Sequence, residues 1–392
     1  MATQFPTAKE TAQRLRDLPQ VRRWRDGNYE PGNWFSSPPS DTDGVWGGWG
    51  HEVTPSRRGI SFLDVNRADP HGVPEQGPGL AVDRGGAADP SSGRYNYQLN
   101  KKYQVWSSNL ESLLDEAISR QWSATTDIPW DQLEPLPDDL ERALCQFVTF
   151  LSVVEFGPTD NIPFWMSRID PAFSEARLFL ATQCADESRH TEVFTKRMFA
   201  NGGGPGIEPF AHSVVDPVPP ERKGMPPEVV ANMTQKGPEV EFLMYNYVTQ
   251  MLGESMVLDF FRFGEFLGRN PCDKEIFRRV LQDEARHVSY GTMHIKYYLE
   301  HAPKAEQNRA LEVLHYLASA AESGVTGFEF LINPNIIEPF AVMAGDGIAN
   351  IDRGWEKARE FWAKVVDEYL GRCDRAGFPR WDRCLLPREA PF

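Results

Sequence analysis

The chain has 392 residues and a formal net charge of −15, with 41 Lys and Arg against 56 Asp and Glu. That balance opposes a nucleic-acid interface, which needs a basic stripe to displace counterions from phosphates. Five cysteines (Cys145, Cys184, Cys272, Cys373 and Cys384) lie far apart with no CxxC pair, which argues against a disulfide framework or a zinc knuckle and fits free thiols in a reducing compartment.

No window reaches the roughly 18 apolar residues of a membrane span, and the N-terminal MATQFPTAKETAQRLRDLPQ lacks a basic segment followed by an apolar one. A cytoplasmic protein with no membrane association is therefore expected. Residues 1–135 read as an irregular arm. Its first 100 positions hold 13 Gly and 10 Pro and show no sustained period, so they are a chain of turns. Trp24, Trp34, Trp46 and Trp49 argue against simple disorder, and the arm is expected to pack on the core or on a partner subunit.

From about residue 100 apolar residues recur at three- and four-residue spacing, with no strand alternation. The first long helix is expected from Asp138 through LERALCQFVTFLSVVEF. The second starts at Asp170-Pro171, an N-cap followed by proline at the first helical position, and stops at NGGG from Asn201. The third runs from about Pro238 to Gly268. The fourth begins at Asn270-Pro271, the same capping device. A Pro-rich crossover beginning NGGGPGIEPF separates the second and third helices. Short turn, long crossover, short turn is the connectivity of a ferritin-like four-helix bundle, so the expected fold is all-α, with the bundle at 136–302. Residues 303–392 are expected to add outer helices near 304–323 and 353–372, and a tail.

The second helix carries ADESRH at 185–190 and the fourth carries QDEARH at 282–287. In each, Glu and His are three residues apart, nearly one turn, so Glu187 with His190 and Glu284 with His287 project from one face. A dinuclear carboxylate site needs one more carboxylate from each remaining helix. In an antiparallel pair, residues equidistant from the turn lie at one height. Reflecting the Glu284/His287 pair through the turn at Asn270-Pro271 reaches about position 255, where Glu254 is closest and Asp259 the one near rival. Reflecting Glu187/His190 through Asp170-Pro171 reaches about 152, within a turn of Glu155. That second reflection requires the first helix to continue, kinked or interrupted, across Pro158 and Pro163, which proline opposes. Glu155 in TFLSVVEF and Glu254 in VTQMLGESMVLDFF sit among apolar residues, where a carboxylate is costly unless paired or bound to a cation.

Four carboxylates and two imidazoles suit two iron or manganese ions. The expected arrangement has Glu155, Glu187 and His190 on one metal and Glu254, Glu284 and His287 on the other, with Glu187 and Glu284 bridging. A ligating imidazole donates its other N–H to an oxygen acceptor, so Asp283 is expected to hold His190 and Asp186 to hold His287, with Arg189 and Arg286 neutralising the aspartates. Leu151, Ser152, Phe156, Leu180, Cys184, Phe194, Met251 and Leu258 fall near the ligand faces and would line any apolar or aromatic substrate pocket. His294 lies two turns beyond His287 and reads as a non-ligand histidine. His51, His71, His212, His301 and His315 have no partner spacing.

ADESRH and QDEARH, with Glu155 and Glu254, resemble the ligand set of the ferritin-like dinuclear-iron carboxylate oxidases and oxygenases, a superfamily that includes the ribonucleotide reductase small subunit. The resemblance covers roughly residues 138–300. It implies two iron ions, or a manganese–iron pair, that react with O2 and oxidise a small-molecule substrate by hydroxylation, N-oxygenation or a related step. It also implies a homodimer, and electrons from a separate reductase or ferredoxin, since the chain has no Rossmann, flavin or iron–sulfur motif of its own. Three positions depart from the relatives. Phe194 stands where the reductase subunit has its radical tyrosine, Leu258 where hydrocarbon monooxygenases have a threonine, and Val280 where arylamine N-oxygenases add a histidine. The alternative function is ferroxidase or iron handling, or a radical-type reductase small subunit.

Overall fold

The structure, a computed structural model, describes residues 6–27, 53–57, 59–68, 72–79, 93–207, 238–323 and 328–392. Trp34, Trp46, Trp49, His51, His71, His212 and most of the crossover lie outside the described residues. Among the described residues the architecture is helical, with isolated β-bridges only, such as Leu99 with Ile169. No described helix is long and apolar enough to cross a membrane.

The N-terminal part contributes α1 (Ala8–Arg16), α2 (Pro19–Arg25), α3 (Phe62–Ala68) and α4 (Leu110–Ser119). The first two bury no residue, and Trp24 is exposed. From Leu99 onward the chain enters the interior, where Trp106, Leu110, Leu114 and Trp122 are buried. Residues 93–130 therefore build the core as well as cover it.

The bundle consists of α5 (Asp138–Val154) continued by α6 (Phe156–Met166), then α7 (Ser174–Ala200), then α8 (Pro238–Tyr245) running through a π-helical segment (Asn246–Gly253) into α9 (Glu254–Phe263), and last α10 (Pro271–His301). The caps act as the sequence implies. The Asp170 carboxylate accepts from the Ala172 N–H at 3.0 Å and Asn270 accepts from the Asp273 N–H at 2.9 Å. The break between α5 and α6 falls at Glu155, and its cause is Pro158. Proline has no N–H for the Val154 carbonyl four residues earlier, and its ring crowds that carbonyl. Pro163 likewise leaves the Thr159 carbonyl without its helical donor, and Cys184 Sγ approaches that oxygen at 4.0 Å.

Three helices follow the bundle: α11 (Lys304–Glu322), α12 (Pro334–Gly345) and α13 (Ile351–Arg375). The expected outer helices correspond to α11 and α13. The sequence reading omitted α12, although Asn333-Pro334 repeats the Asn-Pro start of α10, with Asn333 accepting from the Asn335 N–H at 2.9 Å. α12 and α13 share the main core with α5 and α9 through a run of rings. Phe147 and Phe260 stand 5.1 Å apart, Phe260 and Phe361 4.6 Å, and Phe340 and Phe361 4.7 Å. A second core joins α4, α6, α7, α8 and α10 around Trp165, Phe173, Phe179, Phe242 and Tyr290.

Buried ion pairs fix the helices against one another. Arg197 of α7 donates to Glu141 of α5 at 2.7 Å and also to Asp273 at the start of α10. Asp259, the near rival of Glu254, is instead paired with Arg372 of α13, Nη1 to Oδ2 at 2.8 Å. Removing one partner of such a buried set leaves an unpaired charge. Arg197→Leu should therefore destabilise the fold by about 3–5 kcal/mol in urea denaturation. A loss below about 1 kcal/mol would show that the triad is not a structural requirement.

Candidate metal centre

The α5–α6 junction delivers Glu155, α7 delivers Glu187 and His190, the start of α9 delivers Glu254, and α10 delivers Glu284 and His287. All six are buried. Their donor atoms fall into two groups that share Glu187: Glu155, Glu187, His190 and Glu284, and Glu187, Glu254 and His287, with every atom in a group within 4.8 Å of the others. His190 Nδ1 stands 3.3 Å from Glu155, 3.7 Å from Glu187 and 3.2 Å from Glu284. His287 Nδ1 stands 3.1 Å from Glu187, 3.6 Å from Glu254 and 3.8 Å from Glu284.

Both imidazoles thus turn Nδ1 inward and Nε2 outward. His190 Nε2 lies 3.2 Å from Asp283 Oδ2, and His287 Nε2 lies 3.2 Å from Asp186 Oδ2, so each motif's aspartate holds the other motif's histidine. Arg286 donates to both aspartates, to Asp186 at 3.1 Å, and Arg189 pairs with Asp186. Trp122, which nothing in its sequence surroundings singled out, donates its indole N–H to Asp283 at 2.7 Å and stacks on His190 with ring centroids 6.5 Å apart. Arg189 lies over the same indole, 5.5 Å from its centroid. Gln183, one turn before Glu187, donates to Glu254 at 2.8 Å. That spacing was a signal available in the sequence.

The donor set fits a pair of cations on a direct observation. Glu155 Oε1, both oxygens of Glu187 and of Glu284, Glu254 Oε2 and His287 Nδ1 are buried and make no hydrogen bond. His287 Nδ1 is near Glu187 but misdirected for one. Buried polar atoms without partners are rare in folded proteins, and here they converge on one another, as lone pairs do around a metal. Mixed oxygen and nitrogen donors suit iron or manganese.

The remaining expectations fare differently. Leu151 and Met251 belong to the main core and Leu180 to the second, while Phe194 packs against Phe261 and Phe277 at 6.3 Å each and Leu258 is buried. Ser152 and Cys184 are half-buried. Phe156 requires a correction. It is 49% exposed, because it opens α6, whose buried side is that of Gly157, Pro158, Ile162 and Trp165. His294 is buried and turns Nδ1 to the Trp106 carbonyl at 3.1 Å, away from the cluster's donor groups. His301 is exposed, and His315 contacts Arg380 at 3.2 Å.

No protein-family description matches this sequence, and no curated protein matches it. Among solved structures the chain is similar to an R2-like ligand-binding oxidase with aerobically reconstituted metal cofactor after photoconversion, at 16% identity and a TM-score of 0.47, covering 69% of this chain and 94% of that one. It is also similar to variants of such an oxidase with Mn/Fe cofactor. One has 15% identity and a TM-score of 0.46 over 72% of this chain and 95% of that one, another 17% and 0.47 over 70% and 95%. The functional reading rests on the side-chain geometry described above.

Burial opposes charge on both imidazoles, but the carboxylates that face them, Asp283 and Glu155 beside His190 and Asp186 and Glu187 beside His287, prevail and push both well above the usual imidazole range. Burial, then the charge of Glu284 on Glu155 and of Glu187 on Glu254, pushes those two carboxyls up as well. Burial acts to raise Glu187 too, but the two neighbouring histidines prevail and bring it down. Metal ligands must be unprotonated, so binding expels these protons and affinity falls as pH falls. Because the imidazoles are raised above 6.5, affinity should go on rising with pH beyond that value. Calorimetry of Mn2+ binding in buffers of different ionisation enthalpy measures the released protons, and a pH-independent affinity above 6.5 would rule this account out. Asp283→Asn should weaken metal binding roughly 10–100-fold in chelator competition, because His190 loses its carboxylate acceptor.

Proposed function

We propose that the chain is a dinuclear non-haem metal oxidase that uses O2 to oxidise a small organic substrate. The observation that supports it is the convergence of four buried glutamates and two buried histidines with unpaired donor atoms aimed at one another. Glu155, Glu187, His190 and Glu284 would hold one metal, Glu187, Glu254, His287 and Glu284 the other. A bound iron pair, or a manganese–iron pair, supplies O2 reduction and the oxidising equivalents.

The chain's own residues set the conditions. Asp283 and Asp186 fix both imidazoles with Nδ1 inward, and Trp122 and Arg286 hold Asp283 in turn. Four helices and the buried rings of both cores exclude water from the donors, which strengthens every charge interaction there. Glu155 and Glu254, with carboxyl groups pushed up by burial and neighbouring charge, are placed to exchange protons as the cluster changes charge. Phe194 offers no phenol for radical storage, which favours an oxidase or oxygenase over a radical-type reductase subunit. An apolar or aromatic substrate, a separate reductase or ferredoxin as electron donor, and a homodimer complete the proposal.

Metal analysis of the purified protein should find two metals per chain, and the reduced, iron-loaded protein should consume O2 in an oxygen-electrode assay. Glu187→Ala, which removes the donor common to both groups, should abolish both. Two bound metals with no O2 uptake would sink the oxidase reading while leaving the metal site standing.

A further inference from the structure

The positions one turn before the four glutamates are not alike. Gln183 and Gln250 precede Glu187 and Glu254 by four residues, whereas Leu151 and Val280 precede Glu155 and Glu284. All four of these preceding side chains are fully buried.

The two amides form a directed chain. Gln250 donates from Nε2 to Gln183 Oε1 at 2.9 Å, and Gln183 donates from Nε2 to Glu254 Oε1 at 2.8 Å. With its oxygen already accepting, Gln183 must present its NH2 group to Glu254. Glu254 Oε1 is thereby held as an acceptor, and Oε2 is left unpaired, 3.6 Å from His287 Nδ1. Glu155 has no such amide tether: its Oε2 lies 3.3 Å from His190 Nδ1, its Oε1 makes no hydrogen bond, and the side chains one turn before Glu155 and Glu284 are hydrocarbon.

Backbone geometry sustains the chain from behind. Gln250 sits in the π-helical segment, an irregularity often found at functional sites. Gly291 of α10 faces it so closely that a Cβ there would stand 2.6 Å from Gln250 Cβ and 2.9 Å from its Oε1.

We infer that the Gln250–Gln183 chain is a positioning device for Glu254, and through it for the metal position that Glu254 and His287 would form. This rests on the dinuclear reading above. Gln183 and Gln250 orient Glu254 rather than bind metal themselves.

The test is Mn2+ titration of the metal-free, full-length protein by calorimetry, with electron paramagnetic resonance after each addition. The wild type should bind two Mn2+ per chain and show the signal of a coupled pair. Gln183→Leu should weaken the binding of one of the two ions roughly 10–100-fold, the usual size of an outer-shell effect, and leave the other unchanged. Gln250→Leu, which leaves Gln183 without its orienting donor, should weaken the same ion, and either folded variant is sufficient. Folded glutamine variants that bind both ions as the wild type does, or that weaken both alike, would overturn the inference while preserving the dinuclear reading. Fewer than two Mn2+ per wild-type chain would remove both.

Discussion

Everything in this fold accommodates one electrostatic demand: four glutamates, two histidines and two aspartates are taken out of water within a single bundle. Isolated buried carboxylates are too costly to persist as bare charges, so each must be paired, protonated or bound to a cation. The two arginines of the motifs answer the two aspartates. The four glutamates are then left with an excess of negative charge that two divalent cations match. Burial and neighbouring charge push Glu155 and Glu254 up, and the facing carboxylates push the two histidines up, so cations binding there would release protons.

The scaffold holds this centre by rigid means rather than by backbone caps alone. Arg197 clamps α5, α7 and the start of α10. Arg372 ties α9 to α13 through Asp259, five residues after Glu254. The π-helical segment is anchored through Tyr247, whose hydroxyl lies 3.1 Å from that of Tyr369, and Tyr369 in turn donates to Glu322 at 2.9 Å, which pairs with Arg380. The C-terminal helices therefore steady the stretch of chain that positions both Gln250 and Glu254. A shift of that segment would move a donor and its tether together.

Repetition was the most legible part of the sequence. Two Asp-Glu-x-Arg-His motifs on helices, each opened by a cap and proline, imply two facing imidazole–carboxylate pairs, and reflection through the turns reaches Glu155 and Glu254 because antiparallel helices of equal pitch keep equal heights. The same reasoning does not choose between Glu254 and Asp259 by chemistry. The structure separates them because Arg372, more than a hundred residues away, takes Asp259. Trp122 was illegible for a similar reason: it lies in an irregular stretch, and its hydrogen bond to Asp283 exists only once that stretch folds across α10.

The sequence by itself determined the helical periods, the caps and the spacing of the donors, since these depend on neighbours within a few positions. Tertiary structure alone decided the exposure of Phe156, the hold of Trp122 on Asp283, and the amide tether of Glu254. Those depend on which distant side chains meet in a buried, low-dielectric space, where a single donor in place of hydrocarbon makes two otherwise similar glutamates unequal.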